Sequence, residues 1–268
     1  MMNMEIAHKH TWLHHINPSM KLIMMVTLFL FLLFVHYLNW LVYLTLFAVL
    51  LLWSFSGYSK RLVTLMALPF FLVFLSTASS MIMFGKGETT WFTWGMIQVT
   101  EESFYRGLHI GLRAFLFAVL GLLFALTTRP VLLFYSLMQQ LGLKPKYAYS
   151  FMAGIRLIPI MMEEFTTIRN ALKVRGTRER KGYKKLFHTI QSYSIPLLAQ
   201  SIRRAHRIAV AMDTKGFDGD GERTYFYKVG FSKFDGYFMG SIILMVSISY
   251  ILSIYLPLFP TGDVRYGN

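Results

Sequence analysis

The chain contains no cysteine and few acidic residues. The absence of cysteine excludes disulfide bonds, iron–sulfur clusters and thiolate metal sites. Only 13 acidic residues face 27 lysines and arginines, so the formal net charge is +14. A basic excess can indicate a nucleic-acid partner, but these cations lie at the ends of apolar runs and in the middle of the chain, not in one basic domain. The positive-inside rule accounts for the cations at span ends, and no nucleic-acid partner is predicted.

The sequence also lacks the motifs that carry enzyme chemistry. It has no Ser/His/Asp order with a nucleophile elbow, no Walker A motif and no redox ligand set. The run Gly85-Lys86-Gly87-Glu88 lacks phosphate-loop spacing, and Asp218-Gly219-Asp220 lacks the distal glutamate of a calcium loop. Four histidines lie in the polar first 20 residues without a fixed set of partner ligands. The chain is therefore predicted to have no catalytic residue, no metal site and no bound cofactor.

Long uncharged runs dominate the rest of the sequence. Hydrophobic residues make up 55% of the 268 positions and aromatic residues 16%. Soluble domains rarely combine such a composition with such runs, so the sequence predicts an all-α integral membrane protein. A membrane crossing needs about 20 apolar residues. The runs predict about five spans: two short ones within residues 21–55, then about 62–84, 107–126 and 237–258.

Charges and indoles at the span ends predict the orientation in the membrane. Lys21 precedes the first span and Lys60-Arg61 precedes the third, so both positions should be cytoplasmic. Residues 85–106 are predicted to form an external loop, because they carry Trp91 and Trp94 with few cations. The N-terminus should be cytoplasmic, the C-terminus external, and the basic linker at 177–185 cytoplasmic.

Three features inside the spans carry further expectations. Pro69 should bend the third span, because it leaves one backbone carbonyl without its helical partner. Gly107-x-x-x-Gly111 in the fourth span offers a small-residue face for close contact with another helix. Arg113, near the outer end of that span, should snorkel to the interface or find a partner.

Residues 156–217 are predicted to form two charged amphipathic helices with nearly the same ending. The first ends Ala171-Leu172-Lys173-Val174-Arg175-Gly176, the second Ala211-Met212-Asp213-Thr214-Lys215-Gly216-Phe217, and each follows an Ile-Pro pair. Glycine ends a helix in the left-handed conformation, and a cation in the last turn complements the carbonyl end of the helix dipole. Charged residues such as Glu163, Glu164 and Arg169 would each cost about 2.5–3.5 kcal/mol at the bilayer centre, so these helices should be cytoplasmic. One such ending is accounted for by the general preference for good caps, but two matching endings favour docking of a partner.

The two Ala-x-x-x-(Arg or Lys)-Gly endings resemble those of the transmembrane T component of energy-coupling factor (ECF) transporters, the EcfT/CbiQ-like family. The segments Leu13-His14-His15-Ile16-Asn17-Pro18-Ser19-Met20-Lys21-Leu22, Thr127-Thr128-Arg129-Pro130 and Arg223-Thr224 are similar to that family as well. The resemblance covers nearly the whole chain. This sequence departs at Lys215, where the family usually has arginine; the charge is kept but the planar guanidinium fork is lost.

The resemblance implies a non-catalytic coupling subunit of an ATP-driven importer. Its implied partners are the lipid bilayer, two cytoplasmic ABC ATPases that bind the ATP, and a small substrate-binding membrane subunit for a vitamin, thiamine-related for example, or a metal. The charged groups of the two endings would contact acidic groups on the ATPases, and the glycines would end the helices. The implied coupling residues are Ala171, Arg175, Gly176, Ala211, Lys215, Gly216 and Phe217.

Two other functions stay open at the level of the sequence. A self-sufficient secondary carrier would place ionisable residues at a midplane site, where Arg113 is almost alone within the spans. A membrane assembly protein would have no transport cycle. The predicted organisation, in a bacterial cell membrane, is a cytoplasmic tail at 1–20, a four-span region at 21–126, a cytoplasmic or interfacial coupling-helix region at 127–236, and a fifth span with an external C-terminus at 237–268.

Overall fold

The structure, a computed structural model, describes residues 11–85, 87, 89–94, 97–175, 183–219 and 224–259. A short 3-10 helix at Trp12–His15 comes first, and a two-stranded antiparallel sheet, β1 (Thr90–Trp94) and β2 (Ile97–Thr100), lies between the third and fourth α-helices. The α-helices of these residues are α1 (Pro18–Leu33), α2 (Leu38–Phe55), α3 (Lys60–Phe84), α4 (Glu101–Thr127), α5 (Pro130–Gln140), α6 (Pro145–Val174), α7 (Tyr183–Thr214) and α8 (Lys233–Tyr255).

Four of the described helices are long and apolar enough to cross a membrane: α2, α3, α4 and α8. Helix α1 is apolar too, but its 16 residues span only about 24 Å, less than the roughly 30 Å of a bilayer core. The prediction of an all-α integral membrane protein is confirmed, and α1 is the first of the five predicted spans. The predicted boundaries at residues 20, 126 and 236 separate regions by the side of the membrane on which they lie. These assignments stay predictions.

The chain divides into two compact units, Met1–Leu133 with Val229–Asn268, and Phe134–Lys228. In the first unit, buried side chains of α1, α2, α4 and α8 form one apolar core, with Leu32, Leu44, Leu120 and Met245 among them. Within the stretch predicted as a cytoplasmic tail, residues 12–15 form the 3-10 helix and Leu13 is buried in that core. His8 and His10 lie outside the described residues.

Helices α3 and α4 approach each other closely at two glycines, as the Gly107-x-x-x-Gly111 pattern predicted. A Cβ atom added to Gly107 would lie 2.7 Å from Cγ1 of Ile82 and 2.8 Å from the carbonyl oxygen of Ala78. A Cβ atom at Gly111 would lie 2.8 Å from Cδ2 of Phe74. Since real Cβ atoms almost never come within 3.0 Å of other atoms, only glycine permits this spacing.

The prediction of a loop at residues 85–106 is wrong, because this stretch contains the sheet and the first turns of α4. Threonine and aromatic side chains make up β1, and these residue types favour strands. Helix α4 begins at Glu101, where Oγ1 of Thr100 accepts a hydrogen bond from the amide of Ser103 at 3.2 Å. The acidic pair Glu101 and Glu102, read from the sequence as loop residues, lies in the first turn and complements the helix dipole.

The second unit contains α6 and α7, and both helices are longer than the sequence predicted. The Ile-Pro pairs that precede the two motifs belong to the helices themselves: Pro159 lies inside α6 and Pro196 inside α7. Each proline removes one amide donor from the helical ladder without ending the helix. Phe165 of α6 packs on Tyr193 of α7 with ring centroids 5.1 Å apart, so the two helices contact each other close to both prolines.

Candidate functional site

The first motif forms the carboxyl end of α6. The amide of Arg175 donates to the carbonyl of Ala171 at 3.0 Å, so the Ala-x-x-x-Arg spacing is that of one helical hydrogen bond. The side chains of Ala171 and Arg175 are exposed, and the neighbouring Val174 is 89% exposed. Gly176 lies outside the described residues. The alanine and the cation of this motif are thus accessible at the end of a charged helix.

The second motif ends α7 in a Schellman motif. Gly216 has a φ of +67°, the left-handed conformation that glycine adopts without a Cβ penalty. The amide of Gly216 donates to the carbonyl of Asp213 at 2.9 Å, and that of Phe217 donates to Met212 at 3.0 Å. These bonds satisfy carbonyls that the helix end would otherwise leave unpaired. Lys215 and Ala211 are exposed beside this turn, as Arg175 and Ala171 are in the first motif, but the amide of Lys215 donates to the carbonyl of Met212 at 3.2 Å.

Phe217 packs against its own chain. Its ring meets Tyr149 of α6 edge-on, with centroids 5.6 Å apart, and Tyr149 in turn meets Tyr135 of α5 at 6.5 Å. Tyr135 also contacts Tyr227 at 5.7 Å. Burial, with the neighbouring Tyr149 and Tyr227, raises the pKa of the Tyr135 phenol. The cluster holds the second motif to the start of α6, whereas the first motif is exposed.

The two motifs lie at opposite ends of an antiparallel helix pair. Arg204 of α7 forms an ion pair with Glu164 of α6 in the middle of the pair. Tyr149, which contacts Phe217, precedes Arg175 by 26 residues of continuous helix. At 1.5 Å per residue this separates the two cationic ends by roughly 39 Å along α6. Sequence reasoning identified the two motifs but did not predict this separation, because it depends on how α6 and α7 pair.

A buried lysine joins two other segments that carry the family resemblance. Lys21 is only 1% exposed, although the sequence suggested a cation at the membrane surface. Its Nζ donates to the carbonyl of Leu13 at 2.7 Å, and to the carbonyl and hydroxyl of Thr127 at 3.1 and 3.2 Å. A cation at the last carbonyls of α4 is favourable for the helix dipole. Lys21 therefore connects the carboxyl end of α4 to the 3-10 helix and to the first turn of α1.

The buried residues Asn17 and Asp235 form a second polar contact beside this lysine. The amide of Asn17 donates to Oδ1 of Asp235 at 2.7 Å, and the amide of Ser232 donates to Oδ2 at 2.7 Å. The side chain of Asn17 also donates to the carbonyl of Gly230 at 3.2 Å. Asp235 thus caps its own helix, α8, and binds the segment before α1. Sequence reasoning missed this contact, which joins residues 218 positions apart.

Arg113 finds its partner at the connection between α1 and α2. Its Nη2 donates to the carbonyl of Val35 at 2.5 Å, and Nε2 of His109 lies 3.2 Å from the same oxygen. Nε of Arg113 is buried without a partner within the described part of the chain. The expectation that Arg113 snorkels or pairs is met by this bond. The bond joins the α1–α2 connection to α4.

Comparison with known proteins agrees with this all-helical membrane architecture. Residues 9–226 match the family described as cobalt transport protein, CbiQ. The chain is 29% identical over 249 residues to the energy-coupling factor transporter transmembrane protein EcfT of Lactococcus lactis subsp. cremoris, covering 87% of this chain and 90% of that protein. It is 30% identical over 226 residues to EcfT of Listeria innocua, covering 81% and 84%, and 30% identical over 194 residues to EcfT of Brevibacillus brevis, covering 69% and 71%.

The chain belongs to the family of transmembrane T components of ECF transporters. It is a multi-pass bacterial membrane protein and one component of a transporter. The family match includes Lys21, Thr127 and both helix-end motifs, but it stops before α8.

Proposed function

We propose that this chain couples ATP hydrolysis by two cytoplasmic ATPases to a separate, small substrate-binding membrane subunit. One observation carries the proposal: two exposed cationic helix ends lie roughly 39 Å apart at the two ends of one antiparallel helix pair. A single partner groove does not cover two helix ends at that separation, whereas two ATPase subunits each receive one. Arg175 and Lys215 then contact acidic groups of the two ATPases.

The helix pair carries motion between the partners in this proposal. The ion pair of Glu164 with Arg204, and the ring contact of Phe165 with Tyr193, join α6 to α7 between the two ends. When the ATPases close on ATP, each helix end moves with its ATPase, and the crossing of the helices has to adjust. The chain itself is non-catalytic and binds no cofactor in this proposal, since the ATP belongs to the ATPases.

The transported substrate is a vitamin, a thiamine-related compound for example, or a metal ion. The family description names cobalt, and the relatives' names mention energy coupling without a substrate. Specificity for the transported substrate resides in the substrate-binding subunit. The N-terminus of this chain faces the cytoplasm, where the ATPases are.

Copurification from the native membrane tests this function. We expect the tagged chain to copurify with two ATPase subunits and one small membrane protein, and ATP hydrolysis to drive uptake in proteoliposomes of that complex. A chain that purifies alone and transports alone is a self-sufficient carrier and contradicts the proposal. A chain that purifies with membrane proteins but without ATPases is an assembly protein, which contradicts it as well.

A further inference from the structure

A mainly apolar groove lies where α2 ends and α3 begins, and two cationic residues are among those that line it. The chain turns there at Gly57, whose φ is +79°, so that the last turn of α2 faces the first turns of α3. The groove has a volume of about 460 Å³. It is lined by Trp53, Lys60, Arg61, Thr64, Leu65 and Leu68.

The lining residues divide by depth along α3. Arg61, Leu65 and Leu68 follow one another at helical spacing, so they form one face of the helix. From Lys60 to Leu68 the helix rises about 12 Å, the distance from a lipid headgroup into the upper acyl chain. The cations lie at the start of α3 and the leucines lie further into the span. A phospholipid has the same order, with a polar headgroup at the surface and apolar acyl chains below it.

The charge of the groove selects among phospholipids. Lys60 and Arg61 are both exposed, and none of the described residues that line the groove is acidic. The apolar wall is open as well: Trp53 is 43% exposed, Leu65 68% and Leu68 49%. A cation near the surface of an anionic leaflet favours association roughly fivefold. Apolar side chains of this exposure require an acyl chain or a similar apolar group beside them.

We propose that this groove binds an anionic phospholipid, with its headgroup at Lys60 and Arg61 and an acyl chain along Trp53, Leu65 and Leu68. The inference does not depend on the coupling function, because the groove belongs to the first unit and the two helix-end motifs belong to the second. A free phosphate ion does not fit the same surface, since it leaves the apolar wall uncovered. The lipid would anchor the α2–α3 connection at the membrane surface.

Trp53 provides a direct probe of the bound lipid. The full chain is reconstituted in phosphatidylcholine vesicles that contain either dibrominated phosphatidylglycerol or dibrominated phosphatidylcholine, because bromine quenches indole fluorescence on contact. The signal of Trp53 is the part that Trp53→Phe removes. We expect brominated phosphatidylglycerol to quench this signal at a lower mole fraction than brominated phosphatidylcholine does. Each of the two cations should contribute a roughly fivefold difference.

Matched variants separate the groove from bulk surface charge. Lys60→Gln with Arg61→Gln should abolish the preference for phosphatidylglycerol, whereas Lys60→Arg with Arg61→Lys should keep it. The control is Lys228→Gln with Lys233→Gln, which removes two exposed cations elsewhere; Lys233 is the first residue of α8 as Lys60 is of α3. This control should quench like the parent chain.

Several results overturn the proposal. They are equal quenching by both brominated lipids, a double glutamine variant that retains the preference, and a control that loses it to the same extent. A Trp53 signal that neither lipid quenches means that a protein segment or a second copy covers the groove. If inorganic phosphate removes the preference and sodium chloride of equal ionic strength does not, the site binds free phosphate instead.

Discussion

The two cations of the helix ends, Arg175 and Lys215, have the same charge but different surroundings. Arg175 follows the last turn of α6, where its neighbour Val174 is almost fully exposed. Lys215 lies in the Schellman turn whose Phe217 packs on Tyr149. The lysine end is therefore held in place before a partner binds, which reduces the entropy that docking has to overcome. We infer that this compensates for the guanidinium fork that Lys215 lacks.

Removal of either cation should weaken the binding of an ATPase. A hydrogen bond from a charged group to a carboxylate contributes about 1.5–3 kcal/mol, whereas an exposed helix-end cation contributes about 0.3–1 kcal/mol through the dipole. We expect Arg175→Ala and Lys215→Ala to reduce ATPase copurification or to uncouple hydrolysis from uptake, with membrane insertion unchanged. Lys215→Arg should couple equally well or better.

Arg207→Ala is the matched control for these variants, because Arg207 is an exposed cation within α7 and away from its end. It should leave ATPase binding near the parent value. Normal assembly and uptake in both alanine variants would mean that the two motifs are only helix caps.

Among the described residues, the buried ammonium of Lys21 donates to backbone and hydroxyl oxygens and also interacts electrostatically with Asp235. In Lys21→Met the carbonyls of Leu13 and Thr127 stay buried and lose their donor. A buried acceptor left without its partner costs about 1–3 kcal/mol, so we expect a clear decrease in the thermal unfolding midpoint of the detergent-purified chain. Lys233→Met, at an exposed cation, should change stability by less than about 0.5 kcal/mol. Equal midpoints for the two variants would refute a structural role for Lys21.

At the scale of helices, α3 is held to the rest of the membrane unit by its close contact with α4. Gly107→Ala places a methyl group against the backbone oxygen of Ala78 and the side chain of Ile82. Overpacking of this kind destabilises by about 1–3 kcal/mol, which we expect as a lower unfolding midpoint in detergent. Gly121→Ala is the control in the same helix, because among the described residues no atom outside its own stretch of helix lies within 4 Å of the added methyl group. If both variants unfold alike, the glycine contact does not hold α3 to α4.

The pairing of α6 with α7 decides what the two motifs can do. Their sequences predict two helices with equivalent ends and leave the relation between those ends open. Antiparallel pairing, with Glu164 bound to Arg204, places the motifs far apart and gives them different neighbours. Phe217 illustrates the difference: the resemblance implies a contact with an ATPase, and the fold turns the ring toward Tyr149. Its contribution to coupling stays a prediction.

For the whole molecule, orientation in the membrane is the property with the widest consequences. The cation and indole distribution predicts that the sheet β1–β2 is external and the linker at 177–185 cytoplasmic. Because the chain has no cysteine, single cysteines can report this directly. We expect Thr93→Cys, at an exposed position of β1, to react with an impermeant maleimide on intact cells, and Thr177→Cys to react only after permeabilisation. The reverse pattern would place the coupling helices outside the cell and exclude cytoplasmic ATPases as partners.

The sequence by itself determined the membrane class, the apolar spans, the glycine contact face and the two helix-end motifs. These features are local: hydropathy depends on about 20 consecutive residues, and a helix end on the few residues around its cap. Even so, the sheet and the early start of α4 escaped sequence reasoning, because charged and aromatic residues at 88–102 suit a loop as well as a capped helix.

Only the tertiary structure decided which of these local features meet. The bond from Lys21 to Thr127 joins residues 106 positions apart, and that from Asn17 to Asp235 joins residues 218 positions apart. A lysine at the start of a span gives the same sequence pattern in two different environments. Its ammonium can face lipid headgroups or the last carbonyls of another helix. The burial of that group is a property of the packed helices, because α4, which is distant in sequence, supplies the Thr127 oxygens that bind it.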